Sequence, residues 1–185
     1  MCKPLSEMTL EELWELFPIQ LTQHQVYWAD WYQEEKNLLL LVLPHTVKMH
    51  HIGSTSIEGI CAKPIIDILV EANLSEFEII KSVLLNNGYI CMAQNQTSID
   101  FNKGYTPNGF AEKVFHIHLR SHGDNDELYF RDYLNEHSEI AKEYEKLKLS
   151  LWKQYEHNRD GYTESKTEFV REYTQNAKIL YGKIY

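Results

Sequence analysis

Cysteine is scarce in this chain. Cys2, Cys61 and Cys91 are odd in number and widely spaced, with no C-x-x-C pair to suggest a thiolate zinc site or a redox couple, so the thiols read as unpaired. Long apolar runs are lacking too. The longest, Leu38 to Leu43, falls far short of the roughly 20 residues that span a bilayer, and no basic segment leads into an apolar stretch near Met1. The expectation is a cytoplasmic protein with no membrane partner. Positive charge is the third deficit: 18 Lys and Arg against 27 Asp and Glu leave a net charge of −9. That argues against an extended nucleic-acid surface, since non-specific phosphate binding needs clustered cations that displace counterions, but a local basic pocket stays compatible with it. Repeats and low-complexity tracts are also missing. With 43% hydrophobic and 24% charged residues over 185 positions, the composition is that of one globular domain, residues 1–185.

What is present divides the chain into helical ends and a β-rich centre. Thr9-Leu-Glu-Glu12 has capping-box spacing and predicts a short helix ending at Pro18. A longer helix is predicted from about Gln23 to Leu43, with Val26, Trp28, Ala29, Tyr32, Leu39 and Val42 largely on one stripe before Pro44. Strands are expected at Val47–Ile52, Ile65–Val70, Tyr89–Ala93, Ser98–Asn102 and Val114–Leu119, with a helix from Ser75 to Asn86 stopped by Asn87-Gly88. Three more helices follow: Glu127–Asn135, Ser138 to about Tyr155, and one opened by the capping-box spacing Ser165-Lys-Thr-Glu168. On the middle one Tyr144, Leu147 and Trp152 read as core or partner surface. This order implies an α/β (α+β) fold, a sheet covered by helices, with a strand order that local pattern leaves open.

The chemistry concentrates in the stretch from His51 to Val70. A strand runs into Gly53-Ser54-Thr55, where a residue without a side chain and two hydroxyls let the chain approach a phosphate closely. Lys63 offers a point charge. Asp67 then falls inside the apolar strand Ile65–Val70, where an ionised carboxylate is costly unless a cation or hydrogen bonds meet it. A Walker A loop is set aside, because no Gly-Lys-Ser/Thr occurs. The competing structural reading is a tight glycine turn with Ser54 and Thr55 bonded to their own backbone.

The run His51-Ile-Gly-Ser-Thr-Ser-Ile-Glu-Gly-Ile-Cys-Ala-Lys-Pro-Ile-Ile-Asp-Ile68 resembles the signature of the GrpB (UPF0157-type) family. Gln25-Val-Tyr-Trp-Ala-Asp-Trp-Tyr-Gln-Glu-Glu35, Phe115-His-Ile-His-Leu119, Phe130-Arg-Asp-Tyr-Leu134, Tyr144-Glu-Lys-Leu-Lys148 and Tyr162 to Phe169 continue the likeness in family order over about residues 25–177. Glu58 departs from it, standing where the family commonly has proline, and is expected to loosen the loop or add negative charge. The resemblance implies a nucleotidyltransferase-like mixed β-sheet flanked by α-helices, in which a Gly-Ser turn holds phosphate and two strand carboxylates hold divalent metal. Gly53 and Ser54 fill the turn and Asp67 the first carboxylate, but the second position is Leu69; Glu71, one step further along the same face, substitutes only if the strand bends.

His116 and His118, two apart on a strand, should point to one face as paired metal ligands do, favouring zinc or another transition metal over magnesium, whereas a carboxylate site takes magnesium or manganese. His50 and His51 alternate faces, so at most one shares a pocket with Ser54. Arg120, Arg131 and Lys166 are cations suited to phosphate, although Arg131 beside Asp132 fits a salt bridge equally well. The expected catalytic set is Asp67, Ser54 and His118; the phosphate-binding set is Gly53, Ser54, Thr55, Lys63, Arg120, Arg131 and Lys166; the metal set is Asp67, His116 and His118. The leading reading is a metal-assisted nucleotidyltransferase-like protein for a nucleotide or other phosphorylated small molecule. The alternatives are a non-catalytic nucleotide- or anion-binding module and a protein-interaction protein accessory to folding, with no protein partner readable.

Overall fold

Thr9 caps the first helix as its spacing predicts: its hydroxyl accepts from the Glu12 N–H at 3.2 Å while the Glu12 carboxylate accepts from the Thr9 N–H at 2.7 Å. The computed structural model describes residues 3–185, so Cys2 lies outside the described residues, and Cys61 and Cys91 are free thiols. The element order is α1 (Leu10–Leu16), α2 (Tyr27–Leu40), β1 (Lys48–Ile52), β2 (Ile65–Ala72), α3 (Phe77–Asn86), β3 (Ile90–Gln94), β4 (Ser98–Thr106), β5 (Gly109–Ser121), α4 (Asp126–Glu136), α5 (Ser138–Gln154), α6 (Arg159–Glu164) and α7 (Thr167–Tyr181). Among the described residues no helix is long and apolar enough to cross a membrane.

The strands form one mixed sheet in the order β1-β2-β5-β4-β3, with β2 parallel to β5 and the other neighbours antiparallel. This is the nucleotidyltransferase-like mixed sheet with flanking helices that the sequence implies. One face carries Met49, Ile66, Ile68, Val70, Ile99, Phe101, Ile117 and Leu119, and α2 and α3 cover it with Trp28, Leu39, Phe77, Ile80 and Leu84. The alternation of side chains along each strand sends Asp67, Leu69 and Glu71 to the opposite face. There Leu128 of α4 packs on Ile52 and Leu69, while α4, α5 and α7 share a second apolar cluster built on Phe130, Tyr144 and Phe169.

Three local expectations are corrected. Helix α2 starts at Tyr27 rather than near Gln23, because Thr22 is held extended by a β-bridge to Ala62. The Ser165 capping box does not form: α6 occupies Arg159–Glu164, and the Ser165 hydroxyl donates to the Gly161 carbonyl instead. Glu58 does not loosen its loop, since its N–H donates to Asn135 Oδ1 at 3.0 Å, a bond that proline could not make.

The segment between β1 and β2 is pinned from outside. Glu145 accepts from the Cys61 N–H at 2.6 Å, Lys142 donates to the Gly59 carbonyl at 2.5 Å, and Lys148, only 1% exposed, donates to the Cys61 carbonyl. Helix α5 thus fixes the loop that delivers Gly53 and Lys63. His51 anchors its other end, its ring stacked on Tyr32 and its Nε2 3.0 Å from the Thr55 hydroxyl. Burial lowers its pKa from 6.5 to about 4, so the unfolded chain takes up a proton here that the folded chain resists. The corresponding stability is complete above pH 6.5 and is lost as pH falls towards 4. Replacing His51→Gln should flatten that part of a urea-unfolding profile against pH, and an unaltered slope would remove His51 as its source.

Candidate functional site

Gly53 ends β1 with φ 71° and ψ −177°, a conformation reserved in practice for glycine. It faces Asp67: a Cβ on Gly53 would strike Asp67 Oδ2 and lie 2.9 Å from Asp67 Cγ. The glycine therefore serves close approach of the turn to the β2 carboxylate. The parallel register of β2 and β5 sets Asp67 beside His116 and Leu69 beside His118, so both imidazoles flank one acid. His116 Nδ1 lies 3.2 Å, and His118 Nε2 3.3 Å, from the same Asp67 Oδ1.

Each ring is held from behind. His118 Nδ1 lies 3.0 Å from Asp100 Oδ1, to which Arg120 Nη2 also donates at 2.8 Å, while His116 Nε2 lies 2.9 Å from the Tyr105 hydroxyl. Burial acts to raise the Asp67 pKa, but the hydrogen bonds of His116 and His118 outweigh it and hold the carboxyl below the ordinary range. Burial acts to lower the His118 pKa, and its bonds to Asp100 and Asp67 outweigh that and push it up to about 9. The donor atoms of Asp67, His116 and His118 lie within 4.8 Å of one another, a spacing one metal ion could bridge.

Asp67, His118, Gly53 and Ser54 line a cleft of about 730 Å³ whose far wall is α7, contributing Lys166, Val170 and Arg171, and whose side is α4, contributing Glu127 and Phe130. Tyr144 of α5 lines the same cleft beside Ser54. Lys166 is a cation held in the cleft; burial lowers its pKa to about 8 despite the attraction of Asp67. Its Nζ sits 4.2 Å from the centre of the Tyr162 ring, with no carboxylate in ion-pair contact among the described residues.

The other predicted residues lie elsewhere around this centre. Thr55 is 3% exposed and bonded to the Ile65 carbonyl, behind the turn and outside the cleft lining. Lys63 approaches the Tyr162 ring at 5.3 Å but lines a smaller pocket with Pro18 and Phe110; burial, with Arg159 and Lys166 nearby, lowers its pKa to about 7. Arg120 is engaged by Asp100, and Arg131 by Asp132 at 2.6 Å and the His51 carbonyl at 3.0 Å. Glu71 does not replace the missing second carboxylate: it accepts from the Gly123 N–H at 2.9 Å and from Asn125 Nδ2 at 3.1 Å. His50 shares that face, its Nε2 3.5 Å from Glu71, whereas His51 points to α2.

Sequence reasoning missed Asp100, Tyr105 and Arg159, whose guanidinium lies 5.5 Å from the Tyr105 ring centre. Asp100 carried the same signal that singled out Asp67, a carboxylate alternating with Ile99 and Phe101 on a buried strand. Tyr105 and Arg159 carried no such mark.

The GrpB protein family profile matches residues 18–176. The UPF0157 protein YqkA of Bacillus subtilis is 34% identical over 91% of this chain, although the chain spans only 51% of that relative's length. The glutamate-rich protein GrpB of Alkalihalophilus pseudofirmus is 35% identical over 82% of this chain and 91% of its own. The crystal structure of conserved protein GrpB from Enterococcus faecalis covers 88% of this chain and 99% of its own with a TM-score of 0.76 at 28% identity. A mutant of the Cid1 poly(U) polymerase bound to MgATP covers 76% of this chain and 44% of its own with a TM-score of 0.51 at 11% identity, a likeness of fold alone. By the profile match over most of its length and by its identity to these relatives, this chain belongs to the GrpB family.

Proposed function

We propose that the cleft binds a nucleotide or another phosphorylated small molecule, and that its reaction is metal-assisted nucleotidyl transfer. The observation that carries this reading is the convergence of Ser54, Asp67 and the unpaired Lys166 on one cleft of about 730 Å³, a volume suited to a small ligand. The fold it shares with a polymerase bound to MgATP supports the same reading.

The roles follow from the chemistry of each group. The Lys166 ammonium meets phosphate charge, and the Ser54 hydroxyl donates to a phosphate oxygen. Phe130 and Val170 offer apolar surface to the rest of the ligand and keep water from it. Asp67, His116 and His118 would hold a divalent cation, which supplies charge neutralisation at the transferred phosphoryl group. Lys63 and Arg159 extend the positive field towards Asp67 without lining the cleft itself.

A second reading, a binding module without turnover, is favoured by Leu69. At the position of the second carboxylate it is fully buried against Ile52 and Leu128, so the oxygen-rich cluster of two-metal chemistry is lacking.

Thermal unfolding in the presence of nucleoside triphosphates, coenzyme A precursors and phosphosugars, each with and without a divalent metal, tests both. A ligand at about 100 times its Kd should stabilise the fold by about 2.7 kcal/mol, and Asp67→Asn and Lys166→Met should each remove the shift. Turnover of the shifting ligand separates transfer from binding. No shift with any compound, or a shift indifferent to both substitutions, would end the ligand reading.

A further inference from the structure

We infer that Asp67, His116 and His118 form a mononuclear site for a transition-metal dication of the zinc or cobalt type, not the magnesium site of an oxygen-ligand nucleotidyltransferase. The inference shares the cleft proposed above, but it concerns the metal alone and stands or fails without any nucleotide.

The donor set is the first ground. Magnesium takes oxygen ligands in near-octahedral order, whereas imidazole nitrogen suits zinc, cobalt and iron. Here two imidazoles accompany one carboxylate. On the strands around them, the place of a second carboxylate is taken by the apolar Leu69, Glu71 holds Gly123 and Asn125, and Asp100 holds Arg120.

Geometry is the second. Bonds of about 2.0–2.1 Å to a tetrahedral ion place neighbouring ligand atoms about 3.3–3.4 Å apart, while octahedral bonds of the same length bring adjacent ligands to about 2.9 Å. The two imidazole nitrogens lie 3.2 and 3.3 Å from Asp67 Oδ1, near the tetrahedral edge, and all three donor atoms fall within 4.8 Å of one another. The fourth position opens on the cleft, since Asp67 and His118 both line it, which leaves room for water or a ligand oxygen.

The outer partners are the third. A carboxylate only accepts, so Asp100 takes the proton of His118 Nδ1, and Nε2, the nitrogen beside Asp67, is the one left to ligate a metal. A dication would take the place of the proton shared between Nε2 and Asp67 Oδ1, with His116 as its third ligand. The carboxylate-histidine-metal arrangement that results is the common support of zinc sites, with Arg120 fixing Asp100 and Tyr105 fixing His116. Asp100 and Tyr105 are thus positioning residues.

The test uses the full chain, freed of metal by a chelator and kept free of nucleotide, titrated with Co(II) as an optical probe. Visible absorption bands of a four- or five-coordinate Co(II) ion should grow to one equivalent, vanish on addition of one equivalent of Zn(II), and persist in a large excess of Mg(II). His116→Ala and His118→Ala should abolish the bands, and Asp100→Asn should retain them with affinity weakened about 10- to 100-fold. Competition by Mg(II) at concentrations similar to Zn(II), or failure of the wild-type chain to bind Co(II), would overturn the inference with no variant needed. Bands that survive both histidine substitutions would do the same. A nucleotide-induced rise in unfolding temperature in a chain that binds no Co(II) or Zn(II) would sink the metal assignment and leave the ligand reading standing.

Discussion

Gly53→Ala is expected to lower the unfolding free energy by about 3–5 kcal/mol, the sum of a glycine-only backbone conformation and a steric conflict. The backbone part follows from φ 71° and ψ −177°, where a side chain costs about 1–3 kcal/mol whatever the space around it. The steric part follows from Asp67, whose carboxylate occupies the volume that a Cβ would take. Urea unfolding of Gly53→Ala, Asp67→Ala and the double variant separates the two parts, because the conflict disappears in the double variant while the backbone part remains. A loss below about 1 kcal/mol in the single variant would mean that the turn relaxes away from Asp67, and the close approach would lose its importance.

Glu71→Ala comes next, with an expected loss of about 2–4 kcal/mol. Glu71 is 3% exposed and collects the Gly123 N–H and the Asn125 amide, itself 5% exposed, at the entry to α4. Without its carboxylate the buried Asn125 amide is left unpaired, and the turn that delivers Glu127 and Phe130 to the cleft loosens. Metal binding at Asp67 should be unchanged by this substitution. If Glu71→Ala kept full stability and instead weakened Co(II) binding, Glu71 would be a metal ligand and β2 would bend as the alternative sequence reading required.

Much of the frame was legible locally. Capping at Thr9, the Asn87-Gly88 stop and the apolar alternation around Ile65 and Ile99 depend on neighbours within a few residues, so periodicity locates those elements within a few positions. Local signals failed where a distant group competed. Thr22 is drawn into a bridge with Ala62, forty residues on, which shortens α2. Ser165 has cap spacing, yet the Asn158 cap, accepting from the Gly161 N–H at 2.9 Å, starts α6 first and carries Ser165 to that helix's end. A glycine inside a six-residue helix gave periodicity too little to register.

The site divides along the same line. Sequence by itself determined that Asp67 is a carboxylate in an apolar strand, that His116 and His118 share one face, and that a glycine turn precedes them, since each follows from composition and a period of two. Only the tertiary structure decided that these four residues meet, that Asp100 and Tyr105 stand behind the imidazoles, and that Thr55, Arg120, Arg131 and Glu71 are engaged elsewhere. The reason is the order β1-β2-β5-β4: placing β5 parallel beside β2 and β4 antiparallel beside β5 is a choice among long-range pairings, and strand alternation is the same for every one of them.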